Sequence, residues 1–143
     1  MPSAGAIVRA SDNLSFVTKA DSTADITLGA AADVTGATIT FTTVNANTQV
    51  HVTASFDIRT AAWTSSGWCA GYLNVDGANQ TEPAYFAPSA ANQWATVAQS
   101  WDIVLATPGS HTLKLQGQKG SGTHTTTMAH PATCLTAFVN DRA

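Results

Sequence analysis

The side chains of a serine hydrolase occur close together at one point of the sequence. Ser110 and His111 are adjacent, and Asp102 lies eight residues earlier. These are the residue types of a nucleophile, a base and an orienting acid. Adjacent residues of a β-strand point to opposite faces, however, so Ser110 and His111 are poorly placed to share a site. The sequence also has no nucleophile elbow, H-E-x-x-H motif or P-loop. We therefore predict no enzymatic activity, no catalytic residue and no cofactor.

Other acidic residues and histidines give no clearer site. Paired carboxylates for glycoside hydrolysis would have to come from Glu82, Asp57 and Asp102, and nothing around them indicates a pocket that raises a pKa. His124 and His130 are separated by five residues, which is not a standard zinc spacing. We predict no metal ligand. One histidine from each subunit of a trimer could still hold an ion on the threefold axis, and the sequence leaves this open.

The tryptophans offer apolar area with a polar edge, as in sugar-binding platforms and in contacts between subunits. Trp101 shares an alternating face with Val97, which predicts a core position. Trp63 lies in the Ser/Thr-rich segment "AAWTSSG" and is the best candidate for an exposed anchor. Trp68 is a second candidate, and the position of Trp94 stays undecided.

Composition excludes several classes of function. Only 10% of the residues are charged and the net charge is −3, whereas nucleic-acid binding needs clustered Lys and Arg. No apolar run is long enough to predict a membrane span. The opening "MPSAGAIVRASDNLSF" lacks the regions of a signal peptide, so we expect synthesis in the cytoplasm. Cys69 and Cys134 lie in apolar segments and are interpreted as buried free thiols, with a disulfide as the alternative.

Alternating apolar and polar residues predict an all-β protein without useful helices. We expect a jelly-roll-like antiparallel β-sandwich of about eight strands over residues 34–143. Two segments, "EPAYFAPSAANQ" (82–93) and "GQKGSGTHTTT" (117–127), are predicted as connections. The clearest predicted strands are "ATITFTTV" (37–44), "QVHVTASFDIR" (49–59), "WCAGYLNVDG" (68–77), "WATVAQSWDIVL" (94–105) and "CLTAFVND" (134–141).

Residues 1–33 show no sustained period and are predicted to form an extended N-terminal arm. Short strands are expected within it around residues 6–9 and 25–28. We expect the arm to contact neighbouring subunits or a capsid. The candidate interaction residues of the chain are Ile7, Val8, Arg9, Phe16, Trp63 and Trp68.

Several segments of the chain resemble those of a known family. They are the strand "GSHTLKL" (109–115), which follows a Pro-Gly turn, and the segments "VTASFDIRT", "GYLNVDG" and "CLTAFVND". Residues 48–141 resemble the jelly-roll domains of phage virion proteins, which are similar in outline to tumour-necrosis-factor and C1q heads. The resemblance implies a compact homotrimer around a threefold axis. It also implies a structural role in the virion of a tailed bacteriophage.

The role that best fits this resemblance is that of a head decoration (cement) protein, bound to the major capsid protein on the outside of the particle. A tail accessory protein is the alternative within the same family. The "PGSHTLKL" element also resembles β-sandwich carbohydrate-binding modules. Adhesion to cell-surface glycans therefore remains an alternative function.

Overall fold

The structure is a computed structural model that describes residues 13–130 and 132–142. These residues form eleven strands and no helix, so the all-β prediction is confirmed. Within the same residues no helical segment could span a membrane. The strands are β1 (Asn13–Asp21), β2 (Ile26–Thr27), β3 (Ala32–Thr43), β4 (Thr48–Trp63), β5 (Trp68–Val75), β6 (Ala78–Asn79), β7 (Ala84–Phe86), β8 (Gln93–Leu105), β9 (Gly109–Ser121), β10 (His124–Met128) and β11 (Cys134–Arg142).

Two antiparallel sheets pack face to face. The first has the order β1-β11-β4-β10-β2, with β8 paired to β4 as well. Residues 49–55 of β4 pair with β11 and β8 at once, so these two strands lie on opposite edges of β4. The second sheet has the order β3-β9-β5-β6, with β7 also beside β5. This is the predicted jelly-roll-like β-sandwich.

The core lies between the sheets and is built by strict alternation along the strands. In β4, Val52, Phe56 and Ile58 are buried, as their period of two predicts. Leu113 and Leu115 of β9 face them from the second sheet and are fully buried. The "GSHTLKL" strand is therefore a framework element of the core.

The segment 117–127, predicted as a connection, instead contains the end of β9 and four of the five residues of β10. The prediction was wrong because the inward positions of β10 are His124, Thr126 and Met128, and only the last is apolar. The imidazole of His124 bonds to the Thr126 hydroxyl at 2.8 Å and to the Ser121 carbonyl at 3.0 Å. Polar side chains thus occupy core positions here by bonding to one another. The predicted connection 82–93 likewise contains β7.

The described part of the predicted arm contains a long strand of the first sheet. All nine residues of β1 pair with β11, and β2 falls within the predicted 25–28 strand. The ring of Phe16 packs edge-on against Phe41, with 5.7 Å between the ring centroids. The candidates Ile7, Val8 and Arg9, like the strand expected at 6–9, lie outside the described residues. That the arm contacts a neighbouring subunit or a capsid stays a prediction.

Both cysteines are free thiols. Cys69 lies in the core on β5, whereas Cys134 is half-buried on β11. Burial raises the pKa of the Cys69 thiol to about 11. This thiol therefore stays protonated at neutral pH and is a poor nucleophile.

His111, next to the Pro-Gly turn, is a buried histidine with an acceptor at each ring nitrogen. Its Nδ1 donates to Asp76 at 2.7 Å and its Nε2 to the Thr107 carbonyl at 3.0 Å, which suits the doubly protonated ring. Burial alone would lower the pKa of His111, but the hydrogen bonds to Asp76 and Thr107 and the charge of Asp76 raise it on balance.

We expect the stabilising contribution of His111 to depend on pH. Because the folded-state pKa lies above the ordinary value of 6.5, the contribution is fully present below that pH and is lost as pH rises through the folded-state pKa. His111→Gln should therefore lower the free energy of unfolding more at about pH 5 than at about pH 9. Urea unfolding of both proteins at the two pH values measures this, and a difference independent of pH would contradict it.

Candidate functional site

The outer face of the first sheet carries an exposed apolar patch. Val17 of β1, Phe138 of β11, His51 of β4 and Asp102 of β8 form one cross-strand row. Val104 lies two residues beyond Asp102 on the same face of β8. The exposed fractions are 61% for Val17, 46% for Phe138 and 62% for Val104. We call these five residues the Phe138 patch.

Phe138 forms a ridge between two hollows. The larger hollow, of about 480 Å³, lies toward β8 and is lined by His51, Asp102 and Val104 among others. The smaller, of about 330 Å³, lies toward β1 and is lined by Phe16 and Val17 among others. A ridge with a hollow on each side has the relief that a complementary protein surface can fit.

The one carboxylate of the patch, that of Asp102, has a histidine as its hydrogen-bond partner. His51 Nδ1 lies 2.6 Å from the Asp102 carboxylate, and both side chains are well exposed. The His51 ring is also tilted toward the ring of Phe138, with 6.2 Å between the centroids. Next to the patch the outward residues of β4 and β8 are small, as Thr53 and Ser100 are. Around the Phe138 ridge the face therefore carries small polar side chains, which suits a protein contact better than a small-molecule pocket.

A second cluster occupies the other end of the same face. Trp94 of β8 is 63% exposed and pairs with Arg59 of β4, whose guanidinium carbon lies 4.4 Å from the ring centroid. Arg59 donates to Asp25 at 3.0 Å. Asp25 also accepts from the backbone N–H of His130 at 2.9 Å and contacts its Nδ1 at 2.6 Å. We call these four residues the Trp94 cluster.

Neighbouring groups stabilise the ionised form of the Asp25 carboxyl. The pKa of this carboxyl is lowered, first by the backbone N–H of His130, then by the His130 ring, and further by the charge of Arg59. Asp25 is therefore an anion across the physiological range. Its charge is balanced locally by the guanidinium that lies against Trp94.

A cavity of about 220 Å³ opens between Trp94, Arg59 and Asp25. Ala61 lies in its wall and is the extra residue of a β-bulge, where the β4–β10 register shifts. Asn92, whose φ is 56°, adopts the left-handed conformation just before β8 and also lines the cavity. Bulges of this kind redirect side chains at the rim of a sheet.

The residues considered for hydrolysis do not come together. His111 bonds to Asp76, whereas Asp102 contacts His51. Within the described ranges, no group of three or more His, Cys, Asp or Glu side chains could hold a metal ion. His124 is engaged at both ring nitrogens, and His130 contacts Asp25.

The predicted aromatic candidates lie outside both clusters, except for Phe16 beside the Phe138 patch. The indole nitrogen of Trp63 donates to the Pro88 carbonyl at 3.0 Å. The half-buried ring of Trp68 packs edge-on against Tyr85, with 5.5 Å between the centroids. Whether Phe16, Trp63 and Trp68 bind a partner stays a prediction.

Sequence reasoning did not select Trp94 or Phe138, although the alternation contained the signal. Trp101 is buried, as predicted. Trp94 lies seven residues before it in the same strand, so it must point to the opposite, outer face. Phe138 alternates in the same way with the buried Ala137 and Val139.

No protein-family model matches the sequence, and no curated protein matches it. The fold is similar to that of dimeric latent PorU from Porphyromonas gingivalis, with a TM-score of 0.55 and 13% identity over 99% of this chain; the chain spans only 14% of PorU. It is also similar to Eiger TNF from S. frugiperda, with a TM-score of 0.56 and 6% identity over 92% of this chain and 95% of that one.

A weaker similarity, with a TM-score of 0.43, joins the chain to a protein of infectious bursal disease virus Gx strain. It has 12% identity and covers 92% of this chain and 39% of that one. At identities this low, a structural similarity carries no activity or partner from one protein to another. The chain therefore shares a jelly-roll-like β-sandwich with a TNF.

Proposed function

We propose that the protein is a structural virion protein of a tailed bacteriophage, without catalytic activity. Its role is that of a homotrimeric head decoration protein that stabilises the outside of the capsid. The observation that supports self-assembly is the Phe138 patch, an exposed apolar ridge with a hollow on each side. The phage assignment is carried over from the resemblance of residues 48–141 to virion jelly rolls.

A second copy of the chain is the occupant that we propose for the Phe138 patch. Interfaces between subunits are enriched in aromatic residues and depleted of charge at their centre. Phe138 supplies the aromatic side chain, and the carboxylate of Asp102 is hydrogen-bonded to His51, so the patch leaves no carboxylate without a partner. Because Phe138 is 46% exposed, burying the rest of its side chain contributes about 1 kcal/mol. In a closed trimer that contribution is made at every interface.

Phe138→Ser should convert the trimer to monomers or weaken it by roughly fivefold or more per interface, since about 1 kcal/mol of apolar burial is lost. Light scattering coupled to size exclusion measures the mass, with the wild type expected at about three times the 14.7 kDa of one chain. Tyr85→Ser is the matched control, because Tyr85 is an aromatic residue with 60% exposure on the other sheet. A monomeric wild type would refute the proposal.

Salt provides an independent measurement of the same contact. At about 1 M salt the Debye length is only about 3 Å, so exposed ion pairs are screened while apolar burial is retained. The trimer should therefore survive high salt. Dissociation of the trimer at moderate salt would contradict an apolar contact between its subunits.

Carbohydrate binding is the second candidate function. One observation favours it, namely that Trp94 keeps an exposed indole beside a carboxylate and a guanidinium. Trp94 and Phe138 lie at opposite ends of the face, because Arg59 and His51, their partners on β4, are about 26 Å apart along the strand. The two functions can therefore belong to the same particle protein.

A further inference from the structure

We propose that the Trp94 cluster is a binding site for one neutral pyranose ring of a glycan. The inference goes beyond the assembly proposal. It rests on the second candidate function, to which it gives a site and a class of sugar. It depends on the indole of Trp94, the carboxylate of Asp25 and the cavity between them.

The indole supplies an apolar surface of the required shape. Arg59 lies against the Trp94 ring at 4.4 Å, yet 63% of the side chain stays exposed, so the ring is not covered on its solvent side. A flat indole of this kind can pack against the C–H face of a pyranose. The cross-strand pairing and the contact with Arg59 hold the ring before the sugar arrives, which lowers the entropic cost of binding.

Hydrogen-bonding capacity remains beside the indole. Asp25 Oδ1 is engaged twice by His130 and Oδ2 once by Arg59. An ionised carboxylate has about four acceptor positions, so one remains on Oδ2. A sugar hydroxyl can donate to it, and the Asn92 amide lines the same cavity as a second polar partner.

Charge and size restrict the class of sugar. The positive charge of Arg59 is already compensated by Asp25, so the cluster offers no uncompensated cation to an acidic sugar. A cavity of about 220 Å³ is smaller than the ~300 Å³ at which drug-sized sites begin. It therefore suits a single neutral ring, such as the terminal residue of a longer glycan. Several copies of a weak site on one particle would raise the avidity.

The test uses the full chain on an array that contains neutral and sialylated glycans, followed by titration of the hits in solution. We expect neutral glycans to bind and Trp94→Ala to weaken that binding by about tenfold or more, because the stacking surface is lost. Asp25→Asn should also weaken it, because it removes the anionic acceptor. Tyr85→Ala, which removes an equally exposed aromatic side chain elsewhere, should bind as the wild type does. Thermal unfolding and native mass show whether each variant is folded and assembled.

The possible failures are distinguishable. If the wild type binds no glycan, the second candidate function is refuted while the assembly proposal stands on the native mass. If the wild type binds but Trp94→Ala binds equally well, glycan binding is retained and the site assignment is wrong. Binding restricted to sialylated glycans would overturn the neutral-sugar class.

Discussion

Asp141→Ala is expected to lower the free energy of unfolding by about 3 kcal/mol or more. Asp141 is a fully buried residue of β11. It accepts hydrogen bonds from the backbone N–H groups of Val44 at 2.7 Å and Asn45 at 3.0 Å, and from the Thr48 hydroxyl at 2.8 Å. The substitution leaves the two backbone donors without their acceptor, whereas the Thr48 hydroxyl keeps the Asn45 carbonyl at 3.0 Å. A hydrogen bond to a charged group is worth about 1.5–3 kcal/mol. Guanidinium unfolding measures the loss.

The contribution of the Asp141 carboxylate to the free energy of unfolding should be lost in acid. Burial alone would raise the pKa of Asp141, but the hydrogen bonds from Val44, Thr48 and Asn45 lower it below its ordinary value of 3.8 on balance. The contribution is therefore present above that pH and is lost as pH falls through the folded-state pKa. The gap between the wild type and Asp141→Ala should narrow in acid. Glu82→Ala, at an exposed carboxylate outside the Phe138 patch, is the control and should change stability by less than about 0.5 kcal/mol.

Phe56→Ala is expected to cost about 3–5 kcal/mol, the usual range for removing a buried aromatic ring. Phe56 is fully buried at the centre of β4, and its ring lies directly on Gly71 of β5. This contact joins the two sheets. A β-carbon at Gly71 would overlap the ring, so the glycine is required by packing. Denaturant unfolding at a fixed pH gives the change.

The contact predicts a strong coupling between the two positions. Gly71→Ala alone should cost about 1–3 kcal/mol by overpacking, but much less in the Phe56→Ala protein, where the ring is gone. Gly29→Ala is the matched control, since a β-carbon there meets no atom within 4 Å. If the effects of Gly71→Ala and Phe56→Ala add, the two residues are not in contact as described.

The hydrophobic pattern of the sequence predicts the β-sandwich but misses some of its strands. The alternation of β4 predicts its buried face because the face that meets the second sheet is apolar at nearly every position. In β10 the buried positions include His124 and Thr126, whose mutual hydrogen bond satisfies them. A pattern of hydrophobicity cannot detect a strand whose core positions are polar.

Periodicity places single side chains on a face, whereas the two clusters depend on pairings across the fold. The alternation of side chains along β8 is sufficient to place Trp94 on the outer face, and the alternation along β4 places Arg59 on the same face. Nothing local brings Asp25 to His130, which lies 105 residues later in the chain. That contact follows from the pairing of β2 with β10, which is a property of the topology.

The position of β11 between β1 and β4 has a consequence for synthesis on the ribosome. Within the described sheet, β1 pairs with no strand except β11. Until residues 134–142 leave the exit tunnel, β1 has no partner and β4 keeps an open edge along residues 49–55. Such an edge can pair with another chain. Nascent chains of this protein should therefore be most prone to misassembly just before β11 emerges, and most in need of a chaperone at that point.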